Sequence, residues 1–279
     1  MNINIYQSIA QSILHQLPLD GVDVMLIAGS GIMSAFTEQS IVQRIPYSAF
    51  EGLPQTGVAG HVPELMVMEL GDSSSLKRIL VFGGRFHLYE GYSVDIATAP
   101  IHIASHLGIR NCILTNAAGG LNPHYSTGDL MLIDDLINMS GIPVLDIGVG
   151  DMAIIDNQSK AWGNRVELSL CSSGIAIWRG TYVAVSGPSY ETRAEVRMYR
   201  KMADAIGMST LHEWRSAQMQ GMNVCGCSMI TNTLSDTARQ SVTHGEVLEA
   251  TRAAQNKIAM FVVAAVHHSP EASTHNSNA

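Results

Sequence analysis

The sequence is poor in charge, and the basic residues that it has are not clustered. Only 14% of the 279 residues are charged, and 16 basic against 24 acidic side chains give a formal net charge of −8. Proteins that bind nucleic acid or anionic membranes rely on a basic patch, so we expect neither as a partner. A small anionic substrate remains compatible with this composition, because a local pocket of donors can oppose the overall charge.

Cysteine and long apolar runs are also scarce. The four cysteines form no disulfide or zinc pattern, and Cys225 and Cys227 are separated by one residue instead of the usual two. No uninterrupted apolar run reaches the roughly 18 residues that a membrane-spanning helix needs. The first residues lack the basic start and apolar core of a signal peptide. We therefore expect reduced thiols and a cytoplasmic location.

Hydrophobic residues make up 46% of the chain, which is enough for a substantial core. Apolar runs typical of buried strands alternate with helical periodicity, and no Pro/Gly-rich linker divides them. The pattern predicts one α/β domain over residues 1–267 and a polar, disordered tail over 268–279. The predicted strands are 22–28, 65–70, 79–82, 112–115, 130–133, 182–185 and 223–230, with 65–70 and 79–82 as a hairpin. The predicted helices are 6–17, 92–107, 194–202 and 246–266.

The most informative stretch is 84–92, which follows the predicted strand 79–82. Here Arg85, His87 and Tyr89 alternate, and they project to one side if the chain stays extended. Ligands favour the carboxyl ends of strands in open α/β sheets. An arginine, an imidazole and a phenol at such a point suit an oxyanion together with a sugar. A solvated loop with incidental charges is the alternative interpretation.

Polar residues recur at other strand ends. Ser30, between two glycines, offers a hydroxyl and backbone N–H groups to an anion, although a tight turn explains the same pattern. The small residues at 116–120 permit close backbone approach to a ligand, or simply form a glycine turn. Glu191 follows a turn and either binds a ligand or caps a helix. Asn232 ends an apolar strand, where its amide suits the edge of a heterocycle.

These motifs, together with residues 207–210 and His244, occur in a family-specific order between residues 29 and 247. In that respect the chain resembles the trimeric class of purine nucleoside phosphorylases, within the purine nucleoside and methylthioadenosine phosphorylase family. The resemblance implies a single α/β domain with a mixed, distorted central β-sheet flanked by helices. It also implies a homotrimer that needs no metal or cofactor, with inorganic phosphate as a co-substrate.

The resemblance further implies a role for individual residues. The residues implied for phosphate are Ser30, His61, Arg85, His87, the backbone of Ala117, and Ser209. Those implied for ribose are Tyr89, Met208 and His244, and those for the base are Tyr190, Glu191 and Asn232. Among them Asn232, Glu191 and His87 are the expected catalytic residues, acting by positioning and electrostatics without a covalent intermediate.

The amide at position 232 bears on substrate choice. Relatives that act on adenine nucleosides carry Asp there, whereas Asn matches N7 and O6 of a 6-oxopurine and Glu191 matches N1–H. We therefore expect cleavage of inosine and guanosine, as ribosides or deoxyribosides, to free base and (deoxy)ribose 1-phosphate. The alternatives are a methylthioadenosine-type phosphorylase and a nucleoside-binding homologue without turnover.

Some segments depart from the family pattern. Leu211-His212 replaces the usual Val-Pro, and residues 142–173 match poorly. In the family this segment supplies an aromatic residue to the ribose site of the neighbouring subunit. Alignment places Val166 at that position, with Trp162 as a substitute nearby. The polar stretch 233–243 leaves the reach of His244 open.

Overall fold

The computed structural model describes residues 3–55, 57–58, 60–71, 75–143, 156–235, 249 and 254–271. Within these residues nine strands form one mixed sheet. The strands are β1 (Val24–Ile27), β2 (Ile41–Pro46), β3 (Glu64–Leu70), β4 (Lys77–Phe82), β5 (Asn111–Gly120), β6 (Leu130–Met139), β7 (Trp178–Val185), β8 (Ala205–Gly207) and β9 (Asn223–Thr233).

The strand order is β2-β3-β4-β1-β5-β8-β7-β6-β9, and a further pairing joins β9 to β5. This last pairing closes five strands into a ring. Strands β4, β1, β5 and β9 are parallel neighbours, whereas β2–β3, β3–β4, β5–β8 and β6–β9 are antiparallel. The predicted mixed and distorted sheet is confirmed, as is the hairpin of β3 and β4. Because four strands run the same way, their carboxyl ends meet at one edge.

Helices cover both faces of the sheet. They are α1 (Ile3–Gln16), α2 (Val94–Ala97), α3 (Ala99–His106), α4 (Asn157–Ser172), α5 (Arg193–Tyr199), α6 (Leu211–Met219) and α7 (Gln255–His267). Side chains of α1, α3 and α6 pack into one core cluster, and those of α4 and α7 into another. Along β1, Met25 and Ile27 face the first cluster, and Val24 and Leu26 face the second. A strand buried on both faces reads as a continuous apolar run, which is why the sequence predicts it well.

The predicted helix 92–107 is two helices in the structure. Helix α2 ends at Ala97, and α3 begins at Ala99 with Pro100 in its first turn. Proline has no backbone N–H to donate and suits the first turn of a helix, so Pro100 marks a new start. Of the predicted helix 246–266, the described part is α7 (Gln255–His267) together with the isolated helical residue 249.

The expectation for Val166 and Trp162 is wrong. Both side chains are 0% exposed and belong to the core between α4 and α7. The indole nitrogen of Trp162 donates to the carbonyl of Ala265 at 2.9 Å. Residues 162, 166 and 170 are four apart on α4 and form its buried face. Neither residue therefore extends towards a neighbouring subunit.

All four cysteines are free; Cys171 is exposed and the other three are buried. None of the helices in the described ranges is long and apolar enough to cross a membrane. Residues 272–279, and with them most of the expected tail, lie outside the described part, so the boundary at 267 stays a prediction.

Candidate active site

The carboxyl ends of the four parallel strands surround a cavity of about 290 Å³. Ser30 follows β1 and Arg85 follows β4, while Ala117 lies near the end of β5 and Asn232 near the end of β9. All four residues line this cavity. The topology thus brings together residues that are up to two hundred positions apart, at the edge where α/β sheets bind ligands.

Gly29 allows β1 to end close to β5. A Cβ at this position would lie 2.7 Å from the carbonyl oxygen of Thr115 and 2.8 Å from Cα of Asn116, both backbone atoms. The backbone N–H of Gly29 instead donates to the hydroxyl of Thr115 at 3.3 Å. Gly31, at φ +75°, completes the turn. The Gly-Ser-Gly motif is therefore a tight turn that also presents Ser30 to the cavity, so the two interpretations of it are compatible.

Arg85 is the buried cation of the site, with 2% of its surface exposed. Its Nε donates to Oε1 of Glu213 at 3.1 Å, and its Nη1 donates to the carbonyl of Thr115 at 2.8 Å and to the hydroxyl of Ser209 at 3.3 Å. Its Nη2 is buried and has no hydrogen-bond partner among the described residues. A fixed guanidinium with an unused donor suits an oxyanion.

Arg85, His87 and Tyr89 all line the cavity, as the sequence predicts, although the chain does not stay extended. Leu88–Glu90 forms a 3₁₀ turn, and His87 precedes it in an extended conformation. The rings of His87 and Tyr89 stack with centroids 4.6 Å apart. Because of this turn, the rings of His87 and Tyr89 stack on each other and do not project from an extended chain.

Glu90 anchors His87 from behind. Its Oε2 accepts the backbone N–H of His87 at 2.8 Å and lies 3.3 Å from Nδ1 of the ring. Burial lowers the pKa of His87, and contact with Glu90 opposes that shift only in part. Burial alone would raise the pKa of Glu90, but hydrogen bonds from His87 and Gly57 outweigh it and hold the pKa below its usual value. Near pH 7 the ring of His87 is therefore neutral, and the carboxylate of Glu90 holds it in place.

Thr210 shapes the backbone next to Ser209, which lines the cavity. Its φ of +73° and ψ of −47°, with a 2.8 Å hydrogen bond from the N–H of Leu211 to the carbonyl of Ser209, define a γ-turn. Such a conformation is strained for a residue with a side chain. The amide of Asn116 donates to the hydroxyl of Thr210 at 2.8 Å and holds the turn. Consequently Ser209 faces the cavity just before α6 begins.

Glu191 does not cap α5. The cap is Thr192, whose hydroxyl accepts the N–H of Glu195 at 3.3 Å while Oε2 of Glu195 accepts the N–H of Thr192 at 2.7 Å. Glu191 instead lines the cavity, and burial raises the pKa of its carboxyl. Tyr190 also lines the cavity and is 47% exposed. The helix-cap alternative for Glu191 is therefore excluded.

Asn232 owes its position to an irregularity between β5 and β9. Ala118 pairs with Ile230, but Gly119 pairs with Asn232, so Thr231 is an extra residue on β9. The hydroxyl of Thr231 lies 3.2 Å from Oδ1 of Asn232 and 3.3 Å from the carbonyl oxygen of Ala118, so its single hydrogen has two acceptors within reach.

Comparison with known proteins agrees with this geometry. Residues 56–267 match the model of the phosphorylase superfamily. The chain is 38% identical to purine nucleoside phosphorylase 1 of Geobacillus stearothermophilus, over 96% of this chain and 98% of the relative. It belongs to the purine nucleoside phosphorylases of the phosphorylase superfamily. The purine nucleoside phosphorylase of Bos taurus is 36% identical over 86% of each chain.

A solved purine nucleoside phosphorylase, that of Schistosoma mansoni in complex with adenosine, has the same fold. Its TM-score is 0.83 at 27% identity, covering 97% of this chain and 99% of that one. A second structure from schistosoma, in complex with hypoxanthine, gives a TM-score of 0.80. The resemblance to nucleoside phosphorylases expected from the sequence is confirmed, and so is the fold class.

Of the twelve residues that the resemblance assigns to the phosphorylase site, ten line the cavity. His61 lies beside it, behind Ser30 and His87. His244 lies outside the described residues, so its expected contact with the ribose stays a prediction. The individual roles of the other residues also stay predictions, but their convergence in one cavity is a structural fact.

Eight residues that line the phosphorylase cavity have no role assigned from the sequence. Four of them lie inside the motifs 116–120 and 207–210, and the other four are Pro188, Ile206, Thr231 and Leu234. Asn116 is a polar side chain directly after the predicted strand 112–115, and that position is the signal for it. Ile206 lies on β8, a strand of three residues that is too short to show periodicity. Leu234 has an aliphatic side chain, which does not distinguish a binding residue from a core residue in the sequence.

Proposed function

We propose that this chain cleaves purine nucleosides with inorganic phosphate, yielding the free base and (deoxy)ribose 1-phosphate, with inosine and guanosine as its substrates. One observation carries the proposal. A single cavity is lined by the buried cation Arg85 and also by Glu191 and Asn232. Anion donors and purine-edge groups therefore line one space, as a site for phosphate and a purine nucleoside requires.

The phosphate binds at the end formed by Arg85, Ser30 and Ser209. Arg85 is preorganised by three hydrogen bonds, so little reorganisation is needed when the anion arrives. His87 and Tyr89, stacked beside the cation, lie between the phosphate and the sugar, and Met208 lines the sugar from the other side. The phosphate attacks the anomeric carbon, and its negative charge stabilises the oxocarbenium-like sugar.

The purine leaves at the other end of the cavity. Negative charge grows on the leaving base, and the amide N–H₂ of Asn232 donates to N7, where that charge is stabilised. Glu191 accepts the N1–H of a 6-oxopurine as a carboxylate, and Tyr190 packs on the ring. The place of Asn232 in the lining of the cavity, together with Glu191 and Tyr190, supports this assignment.

The assembly and location are part of the proposal. We propose a homotrimer in the cytoplasm that works in purine salvage without a metal or organic cofactor. The four free cysteines and the exposed apolar side chains of Met198 and Met202 support an intracellular, self-associating protein. Sedimentation equilibrium should give about three times the 30.0 kDa of one chain.

The decisive assay measures release of base from inosine, guanosine, adenosine and methylthioadenosine, each with and without phosphate. Cleavage of inosine and guanosine that requires phosphate is the expected result. Adenosine belongs in the series because the Schistosoma mansoni structure contains it. Phosphate-independent release would make the chain a hydrolase, and no release from any nucleoside would refute the proposal.

A paired substitution tests the base assignment. Asn232→Asp should shift the preference from inosine towards adenosine, because a carboxyl accepts from the amino group and pairs with a protonated N7. Asn157→Asp is the matched control: it makes the same chemical change at the exposed start of α4. If both variants keep the wild-type ratio of inosine to adenosine cleavage, Asn232 does not read the base.

A further inference from the structure

The side chain of Arg200 connects helix α5 to the ends of two central strands. Arg200 is the residue directly after α5. Its Nε donates to the carbonyl of Leu121 at 3.1 Å, and its Nη2 donates to the carbonyl of Leu234. Leu121 is the first residue after β5, and Leu234 is the first residue after β9. One guanidinium therefore fastens the helix to the carboxyl ends of both strands.

Leu234 belongs to the wall of the cavity. Its side chain packs over Gly119, since a Cβ on that glycine would lie 3.0 Å from Cδ1 of Leu234. Both residues line the cavity, as does Asn232, two positions before Leu234. The N–H of Leu234 donates to the carbonyl of Gly120 at 2.8 Å, so its backbone is held both by β5 and by Arg200. A shift of this backbone would change the wall of the cavity next to Asn232.

Helix α5 begins just after residues that line the cavity. Glu191 lines it and stands two residues before the helix. The helix has only seven residues and contributes Val196 and Tyr199 to a small core cluster, against which Leu234 packs. Most of the stability of a short helix comes from such tertiary contacts. Hydrogen bonds from a charged donor are about twice as strong as neutral ones, so the two bonds from Arg200 are a large part of what holds α5 in place.

We propose that Arg200 is a positioning residue for purine binding: it holds α5, and with it Glu191, against the strand that carries Asn232. This inference rests on the proposed phosphorolysis of purine nucleosides. Arg200 itself does not line the cavity, so it acts through Glu191 and through the wall that Leu234 forms. The residues proposed for phosphate lie on other segments of the chain: Ser30, Arg85 and Ser209. Loss of Arg200 should therefore weaken binding of the purine and leave binding of phosphate unchanged.

The test compares Arg200→Met with Arg197→Met. Arg197 is an exposed arginine on the same helix, so its variant is a matched control and should equal the wild type. Arg200→Met removes the donors to both carbonyls. It should raise the KM for inosine about tenfold, the lower range for one lost hydrogen bond from a charged group. The Kd of hypoxanthine, the base that inosine releases, should rise by the same factor in calorimetry, while the KM for phosphate stays at the wild-type value.

Arg200→Lys completes the experiment. Its ammonium keeps the charge and can donate to a carbonyl but lacks the planar fork of arginine, so it should recover part of the loss. If Arg200→Met does not fold, Arg200→Lys is measured against Arg197→Lys, and the same selective rise in the KM for inosine is expected. A KM for phosphate that rises as much as the KM for inosine would mean general loosening and would overturn the proposal, as would an unchanged Kd of hypoxanthine. If the wild type does not cleave inosine, the proposed function has failed instead, and the Kd of hypoxanthine still decides the role of Arg200.

Discussion

Replacing Glu213 by glutamine should destabilise the protein far more than an ordinary surface change. The carboxylate of Glu213 and the guanidinium of Arg85 form an ion pair at 3.1 Å, with side chains only 4% and 2% exposed. Glutamine keeps the size and the acceptor oxygen but removes the negative charge. Arg85 then carries a buried charge with no compensating partner, and breaking such a pair costs about 3–5 kcal/mol.

This free energy corresponds to a measurable change in melting temperature. The entropy of unfolding scales as about 2.1 cal/mol/K per residue, so a chain of 279 residues has about 0.6 kcal/mol/K. A loss of about 3–5 kcal/mol therefore lowers Tm by about 5–9 °C. The assay is thermal unfolding at one protein concentration in phosphate-free buffer, so that neither subunit association nor a bound anion alters the comparison.

The chain provides a matched control for Glu213→Gln. Glu167 also pairs with an arginine, Arg179, at 2.8 Å, but the two side chains are 32% and 28% exposed. A partly exposed pair contributes about 0.2–1 kcal/mol, so Glu167→Gln should lower Tm by less than about 2 °C. If the two variants lower Tm by the same small amount, burial does not amplify the ion pair and the reasoning about Arg85 is wrong.

Three further predictions concern the base, the pH and a glycine. Asn232→Ala should lower kcat more than it raises the KM for inosine, because its donor matters most as the base departs; steady-state kinetics with kcat near wild type would exclude the role. Burial lowers the pKa of His61 from 6.5 in the unfolded chain to about 3 in the folded protein, so between these values only the unfolded chain binds the proton. The free energy of unfolding should therefore fall as the pH drops from 6.5 towards 3. Urea unfolding should give a lower value at pH 5 than at pH 7, and His61→Phe should make this gap smaller. Gly29→Ala places a Cβ 2.7 Å from the carbonyl of Thr115 and should lower both Tm and activity, whereas Gly21→Ala, with open space around it, should perturb only its own turn.

The sequence predicts best those elements whose burial produces a recognisable run or spacing of apolar residues along the chain. Strand β1 is apolar at every position because helices cover both of its faces, and Arg85 stands out because it follows such a strand. Edge strand β2 is mostly exposed on both sides, so it has no apolar run to detect. The closure of the ring by β5 and β9 depends on pairing across about a hundred residues, and no local pattern encodes it.

Within the site, the chemistry-bearing residues are predictable but their mutual contacts are not. Asn116 and Thr210 are 94 positions apart, and only the folded structure shows that the amide of Asn116 donates to the hydroxyl of Thr210 and holds its turn. His61 contacts Ser30, a residue that lines the cavity, and the sequence does not reveal this contact. For Val166 the sequence does carry a signal: its spacing of four from Trp162 and from Leu170 marks the buried face of α4.

The extra residue at Thr231 determines which face of β9 presents Asn232. Side chains alternate between the faces of a strand, so one inserted position exchanges the faces of everything beyond it. In a regular β5–β9 ladder, Gly119 would pair with Thr231, and Asn232 would point away from its present direction. The presence of the Asn232 amide in the cavity therefore depends on a single residue of strand length. A substitution at 232 would change the chemistry offered to the cavity with the register intact, whereas a one-residue deletion in β9 would turn position 232 away from it.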